Sequence, residues 1–269
     1  MDISIIIINY GTRNLVEACV NSIIEHTRDI RYEVIIVENG SGQFSELNHS
    51  WPSELVHVHV SERILGFAGG NNFGIGFATG KYLLLLNSDT YLQTDAISTT
   101  VKYMEQHQNA GVVSARLVYP DGRLQSPAQR FPSIRYQLIE LFRLQKLMPA
   151  RTAGKLLLGA FFNQNENTTA DWVWGTYFQF RKSILQHLPE GKLNDSFFMY
   201  YEDMQWCMDI RKLGYEIHFC SDAEVVHIGG GSSSDKQRYM RENHEVFLRR
   251  NYGSVHRFFI KTLERLLSR

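Results

Sequence analysis

The 269-residue chain is short of features that mark several whole classes of protein. It has only three cysteines, Cys19, Cys207 and Cys220, at spacings that match no metal motif. An odd, scattered set excludes a disulfide scaffold and argues against structural zinc. An excess of one charge is missing too: Lys plus Arg and Asp plus Glu both total 28. No bulk field therefore marks a nucleic-acid binder. No apolar run approaches the roughly 18 residues of a spanning helix. The Met-Asp start lacks the basic segment and apolar stretch of a signal peptide. The expectation is a cytoplasmic protein, free or peripheral on the inner face of the cytoplasmic membrane.

What is present is an ordinary globular composition, 43% hydrophobic and 21% charged, in a chain long enough to bury a sizeable core. The neutral total hides two basic stretches. Residues 130–155 carry six basic side chains against Glu140, and residues 236–269 carry nine against three glutamates. Both interleave cations with large apolar residues, as in Phe131, Ile134, Leu138, Phe142 and Leu147 with Arg135, Arg143 and Lys146. Phe258, Phe259, Leu263, Leu266 and Leu267 do the same with Arg257, Lys261, Arg265 and Arg269. Such stretches suit an anionic membrane surface. They suit a homodimer interface or plain core packing as well.

The first half alternates two periodicities. Buried-strand runs at residues 3–8, 34–37, 82–86 and 111–117 and an edge-like strand at 55–60 are interspersed with helical spacing at 15–24 and 96–107. Later come a strand over 172–180, a helix over 203–213, a strand over 216–220 and a terminal helical segment. This pattern predicts an open α/β sheet whose ligands bind beyond the carboxyl ends of its strands. The expected organisation is one domain over residues 1–234 with a basic, amphipathic helical extension over 235–269. The glycine-rich stretch at 66–80 is no dinucleotide loop. Its third glycine, Gly80, falls one residue late for G-x-G-x-x-G, and the stretch leads into a strand.

Acidic and polar residues cluster at four places. Asn87-Ser88-Asp89 ends a strongly apolar strand, where a carboxylate is placed to hold a hard divalent cation, although Asp89 equally fits a turn or cap. Glu38-Asn39 ends a neighbouring strand, where Glu38 suits a base imide or ribose hydroxyl, or an ordinary turn. Glu202-Asp203 opens a helix behind the run 197–201, so burial raises a carboxyl toward general-base range, while the helix dipole alone also favours acids there. His227 precedes a Gly/Ser-rich turn, 229–234, whose N–H groups suit a phosphate.

In this order and spacing these segments resemble family 2 glycosyltransferases of the GT-A fold, in particular their bacterial rhamnosyltransferase-like branch. The segments are Ile7-Ile-Asn-Tyr10, Val37-Glu-Asn-Gly-Ser41, Gly66-Phe-Ala-Gly-Gly-Asn-Asn-Phe-Gly74, Leu86-Asn-Ser-Asp-Thr90, Phe197-Phe-Met-Tyr-Tyr-Glu-Asp203 and His227-Ile-Gly-Gly. The resemblance implies a GT-A fold, a mostly parallel mixed sheet flanked by helices. It implies Asp203 as catalytic base with Glu202 beside it, and Asp89 with His227 on Mg²⁺ or Mn²⁺. Nucleotide-sugar contacts fall to Asn9, Tyr10, Glu38, Asn39, Gly69, Asn71, Asn72, Asn87 and Ser88. Trp174, Gly175 and Tyr201 stand on the acceptor side. The implied reaction is inverting sugar transfer from dTDP-rhamnose or a UDP- or GDP-sugar to a glycan or polyprenyl-diphosphate-linked acceptor in cell-surface polysaccharide synthesis. Three positions depart from the family pattern: Glu38 replaces aspartate, Asn87 replaces the first acid of the D-x-D-like motif, and Gln205 replaces an acid after E-D-x. The rival readings are a sugar-phosphate nucleotidyltransferase, a glycosidase and a non-catalytic nucleotide- or glycan-binding module.

Overall fold

The computed structural model describes residues 1–43, 51–229 and 236–267. Its first half holds strands β1 (Ile3–Asn9), β2 (Tyr32–Asn39), β3 (Val56–Ser61) and β4 (Tyr82–Leu86), with helices α1 (Arg13–His26), α2 (Gly66–Ile75) and α3 (Ala96–Gln106). The four strands are parallel neighbours in the order β3-β2-β1-β4. β1, β2 and β4 carry continuous apolar runs because both faces of the sheet are covered there and each needs its own side chains, whereas β3, at the edge, alternates valine with His57 and His59. Ile3, Ile5 and Ile7 pack with Val16, Cys19, Val20 and Ile23 of α1 and Ile97 and Met104 of α3. Ile6, Val37, Leu83 and Leu85 join the core on the opposite face, with Ala68 and Ile75 of α2.

Helix α2 is the main surprise of this half, since its six glycine and asparagine positions are poor helix formers. Packing supplies the reason. A Cβ at Gly74 would lie 2.7 Å from Ile6 Cγ2 and 3.0 Å from Val37 Cγ2. The helix backbone rests directly on the sheet, and that tertiary contact outweighs the weak local preference.

The second half adds β5 (Thr90–Tyr91), β6 (Ala110–Val118), β7 (Ala128–Gln129), α4 (Ile134–Leu141), α5 (Ala150–Leu157), β8 (Thr168–Ala170), β9 (Trp172–Val173), β10 (Tyr177–Arg181), α6 (Glu202–Lys212), β11 (Glu216–His227), α7 (Lys236–Asn251) and α8 (Ser254–Leu267). The sheet continues from β4 through antiparallel β10 to β6, β11 and β5. The strand expected over 172–180 is broken at 174–176. Its first part pairs with β7 and its second enters the main sheet. β11 runs seven residues past its expected end, through irregular register, and so delivers His227 opposite Thr90.

The basic stretch over 130–155 is not one helix. Arg143 adopts a left-handed conformation and Pro149 precedes α5, so the stretch divides into α4, a short 3-10 turn over Leu144–Leu147 and α5. α4 packs on α8, and Phe247, Leu248 and Ile260 of the C-terminal helices form a third core with Phe197 and Met204. Core packing therefore accounts for part of both amphipathic stretches. Phe142, Leu147, Phe258, Phe259 and Leu266 remain exposed. Among the described residues no helix is long and apolar enough to cross a membrane.

Candidate active site

β1, β2 and β4 run in parallel, so their carboxyl ends lie along one edge. Asn9 is in register with Glu38, and Ile7 with Leu86. Glu38 is fully buried there. Its Oε2 accepts from Asn9 Nδ2 at 2.6 Å. Its Oε1 accepts from the N–H groups of Ser41 (2.7 Å) and Gly42 (3.1 Å) and from the Ser41 hydroxyl. A side chain read as a base or ribose contact is thus engaged by its own chain, shaping the turn after β2. Asn9 Oδ1 accepts from the Thr12 N–H and hydroxyl, and the Thr12 hydroxyl meets Ser88 Oγ at 3.1 Å. Tyr10 projects into solvent beside them, 55% exposed.

The amides expected near a donor are largely taken up within the protein. Asn39 accepts from the Leu65 N–H at 2.8 Å and donates to the Gly66 carbonyl at 3.2 Å. Asn71, buried, donates to the Phe67 carbonyl at 2.9 Å. Asn72 grips the Leu193 backbone at both ends, at 2.8 and 3.1 Å. Gly69 sits among them on α2, its α-carbon facing Leu65. These contacts hold α2 between the strand ends and the segment before α6. Gly66 enters that helix at φ +72°, where any side chain would meet Phe198.

Asp89 follows β4, and the terminal pairing of β5 with β11 brings His227 beside it, Nε2 to Oδ2 at 3.3 Å. Gln125 orients the imidazole. Its Nε2 donates to the His227 carbonyl at 2.7 Å, which leaves Oε1 facing His227 Nδ1 at 2.6 Å. An amide oxygen only accepts, so Nδ1 carries a proton, and in the neutral imidazole Nε2 then presents its lone pair toward the carboxylate. Two electron-pair donors face each other unless a proton or cation lies between them. That donor set fits a hard divalent ion which keeps waters and takes its remaining ligands from a phosphate. Among the described residues no group of three His, Cys, Asp or Glu side chains gathers. The turn 230–234, expected to face a phosphate, lies outside the described residues.

Asp203 reaches the same end of the sheet through the β9–β10 break. Its Oδ2 accepts from the Gly175 N–H at 3.0 Å and its Oδ1 from the Met204 N–H at 2.8 Å. The next carbonyl, Thr176, accepts from the Asn87 N–H at 3.0 Å. One short run of backbone thus connects the Asp203 carboxylate to the Asn87-Ser88-Asp89 turn. Burial raises the Asp203 carboxyl to about 6 against these N–H groups, which pull it down. Burial first, and then the Asp203 charge, push Glu202 well above the ordinary carboxyl range. Glu202 Oε2 is buried without a hydrogen-bond partner. The pair titrates as one system, with a proton to hold or release near neutrality.

Two of the residues expected on the acceptor side make packing contacts. The Tyr201 ring packs against Phe247 and His244 of α7, and Trp174 lies partly buried against the core that contains α1 and α3. Thr12, Gln125 and Thr176 join the site without any sequence signal for a functional role. None stands in a motif; Gln125 and Thr176 act through partners distant along the chain, and Thr12 joins nearby Asn9 to distant Ser88.

The sequence model described as "Glycosyl transferase family 2" matches residues 4–188. The chain is 26% identical, over 98% of its length and 79% of the relative's, to the low-salt glycan biosynthesis hexosyltransferase Agl10 of Haloferax volcanii. It is 20% identical to the rhamnosyltransferase WbbL of Escherichia coli K12, covering 83% of this chain and 82% of that one. In fold it is similar to the mannosyltransferase PcManGT of Pyrobaculum calidifontis, solved in complex with GDP-Man and Mn2+. That likeness has a TM-score of 0.60 and 15% identity, over 99% of this chain and 74% of that one. The S. aureus TarS 1–349 structure matches at a TM-score of 0.59 and 16% identity, over 95% and 68%. The sheet is that of the GT-A glycosyltransferases, and the chain belongs to glycosyl transferase family 2.

Proposed function

We propose that the protein is an inverting, metal-dependent glycosyltransferase acting on a nucleotide sugar, with Asp203 as base. The observation that carries this reading is the single backbone path, Asp203 to Gly175–Thr176 to Asn87, that ties the buried acid to the Asp89–His227 pair. Asp203 takes the proton of an acceptor hydroxyl as that oxygen attacks the anomeric carbon. The bond from that carbon to the diphosphate breaks on the opposite side, and the nucleoside diphosphate departs with the electron pair. Asp89 and His227 would hold Mg²⁺ or Mn²⁺, which when bound offsets the charge of the diphosphate. Glu38, Asn9 and Asn39 shape the crevice beside it, and Tyr10, Asn87 and Ser88 stand at its mouth. The relatives' hexosyl, rhamnosyl and mannosyl activities favour a hexose or 6-deoxyhexose donor, with dTDP-rhamnose, UDP-sugars and GDP-sugars as the set to try.

The acceptor is a hydroxyl of a glycan or of a polyprenyl-diphosphate-linked sugar, in a polysaccharide or glycan pathway. Phe142, Leu147 and Phe258, each at least 66% exposed, lie among Arg143, Lys146 and Arg265, a combination that suits the surface of an anionic bilayer.

Incubation with a panel of nucleotide sugars and Mn²⁺ tests the reaction. Release of nucleoside diphosphate, absent in Asp203→Asn, is the expected result. Release of pyrophosphate would make the protein a nucleotidyltransferase, and no turnover with any donor would leave a binding module.

A further inference from the structure

The two residues before the acidic pair are bulky and yet left-handed, Tyr200 at φ 68° and Tyr201 at φ 73°. Side chains of that size rarely adopt such a backbone, and two in succession need an outside constraint. The constraint comes from the C-terminal extension. Asn243, in the middle of α7, donates through Nδ2 to the Met199 carbonyl at 2.9 Å and to the Tyr200 carbonyl at 3.0 Å. One helical turn later, Phe247 packs against the Tyr201 ring, with centroids 5.8 Å apart. The same face of α7 therefore holds the backbone of the turn with an amide and its aromatic ring with a phenyl group.

We propose that Asn243 is a positioning residue for sugar transfer, fixing the 199–201 turn so that Asp203 meets Gly175 and the acceptor in register. The inference rests on the reading of Asp203 as base. One amide donates to both carbonyls, and a turn released from it is free to return to the ordinary φ region. Asp203 begins only two residues further on. A displacement there changes the approach of oxygen to the anomeric carbon while leaving the strand ends that face the donor untouched.

The test compares Asn243→Ala, the isosteric non-donor Asn243→Asp, and Asn243→Gln, which restores a donor, with each variant's fold checked by near-ultraviolet circular dichroism. Nucleoside diphosphate release is followed with the best donor of the panel. Expected is a fall in kcat of roughly 10- to 100-fold for the Ala and Asp variants, with donor KM within about twofold of wild type and substantial recovery in the Gln variant. Should Ala not fold, Asp carries the comparison. An Asp variant with wild-type kcat, or a loss shared equally by Gln, overturns the role of Asn243. Asp203→Asn assayed alongside separates the two failures, because full activity in that variant would instead remove the base.

Discussion

At Asp203 the environment decides the chemistry more than the residue type does. Burial holds its carboxyl near 6, so transfer should fail as pH falls through that value and the base takes up its proton. A pH–kcat profile with an acid limb near 4 would show that a more exposed carboxylate is responsible. The same shift has the opposite sign for stability. A folded-state value above the ordinary 3.8 means the native protein binds more protons between the two, so stability is lost as pH rises through about 6. Asp203→Asn removes that cost and the repulsion with Glu202. It should raise Tm at pH 7, leave Tm near pH 4 little changed, and lower kcat by about 10²- to 10⁴-fold. Calorimetric scans at the two pH values check it. At the strand ends beside Asp89, Gln125→Leu removes the acceptor that sets the His227 tautomer, and Mn²⁺ affinity in the presence of nucleoside diphosphate should fall about 10- to 100-fold. Isothermal titration measures this without turnover. Asp203 and His227 stand out as candidates in the sequence because acids after an aromatic run and a histidine before glycines are local patterns. The engagement of Glu38 does not, since its partners Asn9 and Ser41 are supplied by a neighbouring strand and a turn.

Among the elements, α2 is the one whose local and tertiary preferences conflict. Its glycines weaken the helix and at the same time let it lie on Ile6 and Val37. Gly74→Val should therefore destabilise the protein by about 1–3 kcal/mol through overpacking, despite a higher intrinsic order of the new residue. Urea unfolding gives the value, and a stabilised variant would show that α2 stands off the sheet. Strands β1, β2 and β4 were readable from their continuous apolar runs. The break at 174–176 was not, because Trp172 to Phe180 keeps strand-like composition throughout. Only the insertion of β10 between β4 and β6 requires the chain to turn there, and that turn supplies the Gly175 N–H to Asp203.

Over the whole molecule, the C-terminal helices cannot be treated as an appendage. Phe247, Leu248 and Ile260 close a core over Phe197 and Met204, directly under the acidic pair. Removing residues 236–269 should expose that core and abolish cooperative unfolding, seen as loss of a single thermal transition and binding of a hydrophobic dye. The exposed apolar and basic rim of the same region should pellet with vesicles containing anionic lipid at low salt and release as salt screens the cations. Vesicle-free protein sedimenting as a dimer, with no pelleting, would assign the patch to a second copy. What the chain determined by itself were the periodic elements and the chemical identity of the acids, because apolar spacing and local motifs are written over a few residues. Which acid meets which partner was decided only in three dimensions. The parallel register sets strand ends level, and the long β11 and the broken β9–β10 segment carry distant residues to that edge. Neither distance nor burial is encoded in any short stretch of sequence.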